Sequence, residues 1–405
     1  MLPRRNSTRL NVEVLEGRTV PAGNVSATLV GSTLRLIGDS LSNGIFVYLQ
    51  GGNVVVAGDP TTTVNSAGSV SFPAASVAGL DIRMDDKDDT VTLGKTPTNV
   101  VTGLTLTRLL QYNGGNGNDT LEIAGVSVSR TATIRGGDGD DSVTINNGTH
   151  FSSPVSISLD TGSVSESVSI DNAIFDKPTV IRGSDVNSTI NITAATGPTT
   201  FNASLSILTR NGDDAITLDG ANVSSGPLTI TTGDGDDTVA LDNGTYKILS
   251  LNTGLGDDTV NIGTTTAVDV TLGAAITLGD GANALNIGNG TTTTQFGLLS
   301  IRGGSGVDNI LLDNISVSLG ATTIRTLDGN DSLTILNSSF SPNKVTVEMG
   351  NGDDTVTLNS NSFQVGPPHQ DLFDGGSGSD TLNGSTANTG LSIPPEVVNF
   401  ETINP

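Results

Sequence analysis

A short turn of the form Gly-x-Gly-x-Asp, followed by Thr or Ser and then two alternating apolar residues, recurs along the chain about every 24 residues. This period limits the possible folds more than any other feature, because a fixed repeat of that length is the mark of a solenoid or array. Clear copies are Gly114-Gly-Asn-Gly-Asn-Asp119-Thr-Leu-Glu-Ile123, Gly136-Gly-Asp-Gly-Asp-Asp141-Ser-Val-Thr-Ile145 and Thr232-Gly-Asp-Gly-Asp-Asp237-Thr-Val-Ala-Leu241. With the last acidic position of each copy as an anchor, the series reads Asp89, Asp119, Asp141, Glu166, Ser188, Asp214, Asp237, Asp258, Asn283, Asp308, Asp331, Asp354 and Asp380.

Three apolar columns ride on the anchors. Two and four residues after each anchor stand pairs such as Val143/Ile145, Val239/Leu241 and Val356/Leu358, with small or polar residues between them. Strict alternation of this kind describes a short strand with one buried side. Nine residues after the anchor come Val128, Phe175, Val223, Tyr246, Val317, Phe340 and Phe363, and seven before it come Ile134, Ile181, Ile230, Leu251, Ile301, Ile324 and Val347. Three strands per repeat predict an all-β chain: a parallel β-helix, a three-faced solenoid of about 13 rungs of ~24 residues. Stacked at the usual strand spacing, such a rod is roughly 60 Å long. A helical alternative fails, since no window repeats at 3.6 residues and the Gly, Asn and β-branched content opposes it. Asn147, Asn172, Asn243, Asn289, Asn314 and Asn337 fall six residues after an anchor. There Asn can adopt a left-handed turn conformation, and stacking is expected to align the amides into a ladder.

The period divides the chain. Residues 24–80 break it with alternating segments around Leu34–Ile37 and Ile45–Tyr48 and a hairpin signal at Gly51-Gly52-Asn53, which predicts a β-rich N-terminal cap. Residues 81–384 carry the repeats, and residues 385–405 are expected to cap the last rung. Ser362–Gln370, with Pro367-Pro368, reads as a loop. Residues 1–23 form a basic start followed by Leu15-Glu16-Gly-Arg18-Thr-Val20-Pro21-Ala22. This resembles the short Leu-Glu-x-Arg…Val-Pro-Ala leader of large extracytoplasmic proteins of planctomycete bacteria. The resemblance implies export or surface targeting, and hence a secreted, extracellular or cell-surface location.

Charge narrows the partners. The 405 residues hold 18 Lys+Arg against 42 Asp+Glu, a net charge of −24. Such a chain repels phosphate backbones and favours hard cations, so nucleic acid is not an expected partner. No apolar run reaches the length of a membrane-spanning helix. The absence of Cys removes disulfides, thiolate metal sites and cysteine nucleophiles.

Copies starting at Gly114, Gly136, Gly303 and Gly375 match the nonapeptide Gly-Gly-x-Gly-x-Asp-x-(apolar)-x in full. They resemble the hemolysin-type (RTX) calcium-binding repeat of secreted bacterial proteins. The resemblance implies calcium held by turn carbonyls and by Asp119, Asp141, Asp308 and Asp380, with Asp237, Asp258 and Asp354 as near-matches. One departure stands out: family members repeat the nonapeptide back to back, whereas here each copy is isolated on its own rung. Independently of the family, Asp138-Gly-Asp140-Asp141 and Asp234-Gly-Asp236-Asp237 each gather three carboxylates. Repulsion between stacked carboxylates, relieved by a hard divalent cation, points to the same ion. The candidate metal ligands therefore also include Asp138, Asp140, Asp234, Asp236, Asp214 and Asp331. Arg135, Arg182, Arg302 and Arg325, six before an anchor, are competing neutralisers of the turns.

Catalytic readings have less support. The Asp-rich turns are similar to those of pectin-hydrolysing β-helix enzymes, but they recur on rung after rung with no Gly-His-Gly or Arg-x-Lys companion. His150 and His369 are far apart and read as surface residues. Gly279-Asp-Gly281-Ala-Asn-Ala284 is a loose dinucleotide fingerprint, but it leads into a strand where a helix is required. The sequence thus predicts an exported, non-enzymatic calcium-binding repeat protein, a surface-structural or adhesive element meeting cell-surface or matrix components. The alternative is a β-helix polysaccharide lyase or hydrolase.

Overall fold

The computed structural model describes residues 23–340, 343–363, 371–384, 388–390 and 397–405. The leader up to residue 22, His369, most of the proline loop and part of the C-terminal tail lie outside the described residues. The chain folds as a parallel β-solenoid of about a dozen turns.

Each turn contributes three strands, as the columns require. The first follows the anchor, as in Thr120–Ala124 and Ser142–Asn146; the second is short, as in Ser127–Val128 and Thr149–Phe151; the third approaches the next anchor, as in Ala132–Asp138 and Val155–Thr161. Each strand pairs in parallel with its counterpart one turn on: Leu121 faces Val143, Ile123 faces Ile145, Val128 faces Phe151 and Ile134 faces Ile157. The first strands stack into one sheet, while the second and third share another. They share it because Asn222–Asp234 and Thr245–Leu255 run through the intervening corner without a break.

The core is one continuous stack of inward columns, and both residues of pairs such as Val239/Leu241 are fully buried. Phe175 lies between Phe151 and Phe201, with ring centroids 5.2 Å and 4.6 Å away and near-parallel planes. Phe340 stacks on Phe363 at 5.5 Å. Phe151, Phe201, Val270 and Phe296 belong to this column although they fall more than nine residues after their anchors. Corner loops of varying length displace them in sequence but not in space.

The N-terminal segment adds antiparallel hairpins to this stack. β1 (Gly23–Val30) and β2 (Thr33–Ile37) form a hairpin, as do β3 (Gly44–Gln50) and β4 (Asn53–Gly58). The second hairpin turns at Gly51-Gly52, both at positive φ, as a tight two-residue loop demands. β5 (Thr62–Val64) adds to β1 and β6 (Ser69–Pro73) to β4. Parallel stacking already begins at β2 and β3, where Leu34 faces Leu80 and Ile45 faces Val91.

The Asn corner is as expected in the backbone of five of the six residues, and Asn289 does not share it. Asn147, Asn172, Asn243, Asn314 and Asn337 have φ between 51° and 58°, the left-handed region. Their side chains form no amide ladder. Asn147 donates to Asn146 Oδ1 (2.6 Å), Asn337 to Asp313 Oδ1 (3.0 Å), and Asn314 accepts from Thr293 Oγ1 (3.0 Å).

Candidate functional site

Every anchor lands at the same place in its rung. The residues that follow them, Thr120, Ser142, Ser167, Thr189, Ala215, Thr238 and Thr259, stand opposite one another along the first sheet. The anchors point into the rod rather than to solvent. Asp119, Asp141, Asp214, Asp237, Asp258, Asp308, Asp331, Asp354 and Asp380 are at most 2% exposed. The physical reason is parity. In a strand, positions 0, +2 and +4 share a face, so an anchor two residues before a core Val or Leu points inward with it.

The buried column is ordered by a hydrogen-bond ladder. On either side of Glu166, whose two carboxyl oxygens are buried without a partner, an anchor's N–H donates to Oδ1 of the anchor one turn on: Asp89 to Asp119 (2.8 Å), Asp119 to Asp141 (2.8 Å), Asp214 to Asp237 (2.8 Å) and Asp237 to Asp258 (2.9 Å). Asp308 donates to Asp331, Asp331 to Asp354 and Asp354 to Asp380, each at 2.8 Å. Two members lay outside the repeat reading. Asn43 starts the column by donating to Asp89 Oδ1 (2.6 Å), and Glu401 ends it by accepting from Asp380 N–H (2.7 Å). Parity before Ile45 and Ile403 was the available signal for both, since neither carries the glycine turn.

The residue just before the anchor builds a second ladder of opposite polarity on the solvent side. Asp140 N–H donates back to Asn118 Oδ1 (3.0 Å), Asp236 to Asp213 Oδ1 (3.0 Å) and Asp257 to Asp236 Oδ1 (2.8 Å). Asp140 itself accepts from the backbone of Val164 and Ser163, which holds its carboxyl below the usual range. Asp138 accepts from the Thr161 hydroxyl. Asp234 and Asp236 lie on the same exposed ridge.

The glycines of the motif make room for the buried carboxyl. A Cβ on Gly136 would stand 2.1 Å from Asp141 Oδ2, and one on Gly233 would meet the Arg210 carbonyl oxygen at 1.4 Å. The turn carbonyls are also engaged. Asp138 O accepts from Gly117 (2.7 Å), Leu255 O from Gly235 (2.8 Å) and Asp280 O from Gly256 (3.0 Å).

These commitments decide whether the anchors suit calcium. The ion needs six to eight oxygens converging at 2.3–2.6 Å. Here each anchor's Oδ1 is tied to a neighbouring N–H, successive carboxyls sit one rung apart, and the carbonyls named above belong to the rung-to-rung ladder. Among the described residues, no three or more His, Cys, Asp or Glu side chains are grouped to hold a metal ion. The anchor residues do not fit the ion that their motif implies. Burial instead pushes Asp89, Asp119, Asp141 and Asp237 up to about 7, and Asp214, Asp308 and Asp354 to about 6.

Among the described residues no ion pair joins Arg135, Arg182, Arg302 or Arg325 to an anchor, although at the Asp280 turn hydrogen bonds from Ser305, and after them Arg302, hold the carboxyl below the usual range. Arg325 pairs with Glu348 on the next rung, at 2.6 Å and 3.4 Å. Arg135 lines an open groove of about 620 Å³ together with Asp85, Asp86, Asn116, Asp138 and Asp160. His150 is partly exposed and its Nε2 lies 2.8 Å from Asp176 Oδ2, while Asn202 donates to the other carboxyl oxygen at 3.0 Å. No described helix is long and apolar enough to cross a membrane. Comparisons with family models, with curated proteins and with solved structures gave no match.

Proposed function

We propose that the chain is an exported, non-enzymatic element of the cell surface, a stiff acidic spacer or adhesive rod. The observation that supports this most is the continuity of the anchor ladder. It runs from Ser188 through Asp214, Asp237, Asp258, Asn283, Asp308, Asp331, Asp354 and Asp380 to Glu401, always between neighbouring turns. A rod held rung to rung by like contacts over this span resists bending. Calcium, in this reading, is a diffuse counter-ion of the acidic exterior, held by no fixed set of ligands. Cell-surface or matrix polymers would meet the outward ranks of Thr, Ser and Asn.

A second reading, a polysaccharide lyase or hydrolase, has one observation in its favour: the groove where Arg135 faces Asp86, Asp138 and Asp160. Paired carboxylates beside a cation are the chemistry such an enzyme uses. Protease treatment of intact cells, followed by assay of the purified chain on acidic and neutral polysaccharides, separates the two. Surface cleavage with no polymer breakdown supports the rod. Loss of polymer chain length that vanishes in Asp138→Asn favours the enzyme, and full protection from protease removes the surface assignment.

A further inference from the structure

Asn283 takes the anchor position between Asp258 and Asp308, and its amide reveals what that position faces. Its Oδ1 accepts from Asp258 N–H at 2.9 Å, as an anchor aspartate's Oδ1 does. Its Nδ2 donates to Asp308 Oδ1 at 2.9 Å and lies 3.3 Å from the carbonyl oxygens of both Gly279 and Gly281. A donor placed here has acceptors on every side.

On the aspartate rungs an oxygen holds that place. Oδ2 of Asp119, Asp141, Asp237, Asp258, Asp331 and Asp354, among others, is buried and has no hydrogen-bond partner. Thr232, Thr253 and Thr326 put a hydroxyl beside Asp237, Asp258 and Asp331. Their single protons go elsewhere: Thr232 donates to Thr253 O (2.8 Å), Thr253 to Leu278 O (2.6 Å) and Thr326 to Met349 O (2.5 Å). A hydroxyl that keeps its proton on that carbonyl turns an acceptor oxygen to the carboxyl, and one that swings it to the carboxyl lowers that group's pKa, a smaller influence than burial. A buried carboxylate among acceptors is left with an unpaid desolvation cost, whereas a carboxylic acid there is a donor among acceptors.

We propose that the buried anchor aspartates are neutral carboxylic acids in the folded protein, each Oδ2 hydroxyl donating into its turn as the Asn283 amide does, so that the column takes up protons on folding. Asp308 is the contrasting member. Its Oδ1 accepts from Asn283 and its Oδ2 from Gly304 N–H at 3.3 Å, so both oxygens have donors and suit the ionised form. The titratable groups facing Asp237 are Asp214 and Asp258 on the adjoining rungs, and those facing Asp258 include Asp236 and Asp257. All are acidic, so each opposes ionisation of the next. Burial is the larger influence on both carboxyls and acts in the same direction.

The folded groups bind protons more tightly than an unfolded aspartate, which titrates near 4. Stability is therefore greatest in mild acid and falls as pH rises from about 4 through 7. The test is thermal unfolding of the full chain at pH 5 and pH 8, with chelator and then with millimolar calcium at matched ionic strength, for the unaltered protein and for Asp237→Asn/Asp258→Asn. Infrared difference spectra of the unaltered protein on unfolding at pH 6 run alongside. The melting temperature should drop by the order of 10 °C between the two pH values. The double variant should lose part of that drop, and the folded protein should show the C=O stretch of protonated carboxyl groups. A melting temperature independent of pH together with no protonated-carboxyl band overturns the proposal. So does calcium that rescues the unaltered protein at pH 8 but not the variant, since the carboxyls would then be ligands. If the variant does not fold, the infrared measurement decides.

Discussion

The two polar corners of each rung use the same residue types in opposite ways. At the anchor corner, Asp141 is buried while the glycine before it, Gly136, yields space to its carboxyl. At the Asn corner, Asn147 and Gly148 sit at φ 56° and 75°, and a Cβ on Gly148 would meet nothing within 4 Å. The first corner is governed by side-chain packing and the second by backbone conformation. Asp, Asn and Gly enrichment therefore marks a turn without saying which way its side chains point.

That contrast is testable, and the largest effect concerns the rung itself. The Asp237–Asp258 bond spans one repeat of 21 residues. Deleting residues 237–257 should leave a shorter, cooperatively folded rod, because Asp258 inherits the contacts of Asp237. Deleting half as many residues inverts the columns and should abolish folding, as circular dichroism and gel filtration would report. Equal tolerance of both deletions would mean the ladder does not set the register.

Next in size is Gly136→Ala, which forces a methyl against the Asp141 carboxyl. Overpacking of this kind costs about 1–3 kcal/mol, and here the site is wedged between stacked rungs. Denaturant unfolding of Gly136→Ala beside Gly148→Ala sharpens the comparison. The second change meets no atoms and should cost only the left-handed strain of an L-residue, ~1 kcal/mol. A larger loss from Gly148→Ala would reverse the roles assigned to the corners. The smallest effect is at Asn243, whose φ is 52°. Asn243→Gly should be nearly neutral and Asn243→Ala mildly destabilising, by ~1 kcal/mol. If both cost the same, the amide rather than the backbone carries that corner.

Much of this was legible in the chain. The anchors from Asp89 to Asp380 occupy equivalent places on successive rungs, and the Val/Ile/Leu pairs that follow them are buried. Parity also held the anchor's orientation, since Asp237 shares a face with Val239 and Leu241. Asn43 and Glu401 were hidden because the column extends beyond the glycine turns at both ends, and Phe151 and Phe201 because corner loops change length.

The sequence by itself determined the period, the three columns and the inward parity of each position, because these depend on spacing along one strand. Only the tertiary structure decided which atoms the anchors meet. Residues that touch across the ladder are about 24 positions apart in the chain, and strand alternation says nothing about what lies above or below. That Asp237 Oδ1 receives a donor while its Oδ2 receives none, and that Asn283 Nδ2 finds acceptors in the same place, follows from stacking alone. Burial in that stack, not the identity of the residue, turns an apparent metal ligand into a buried acid.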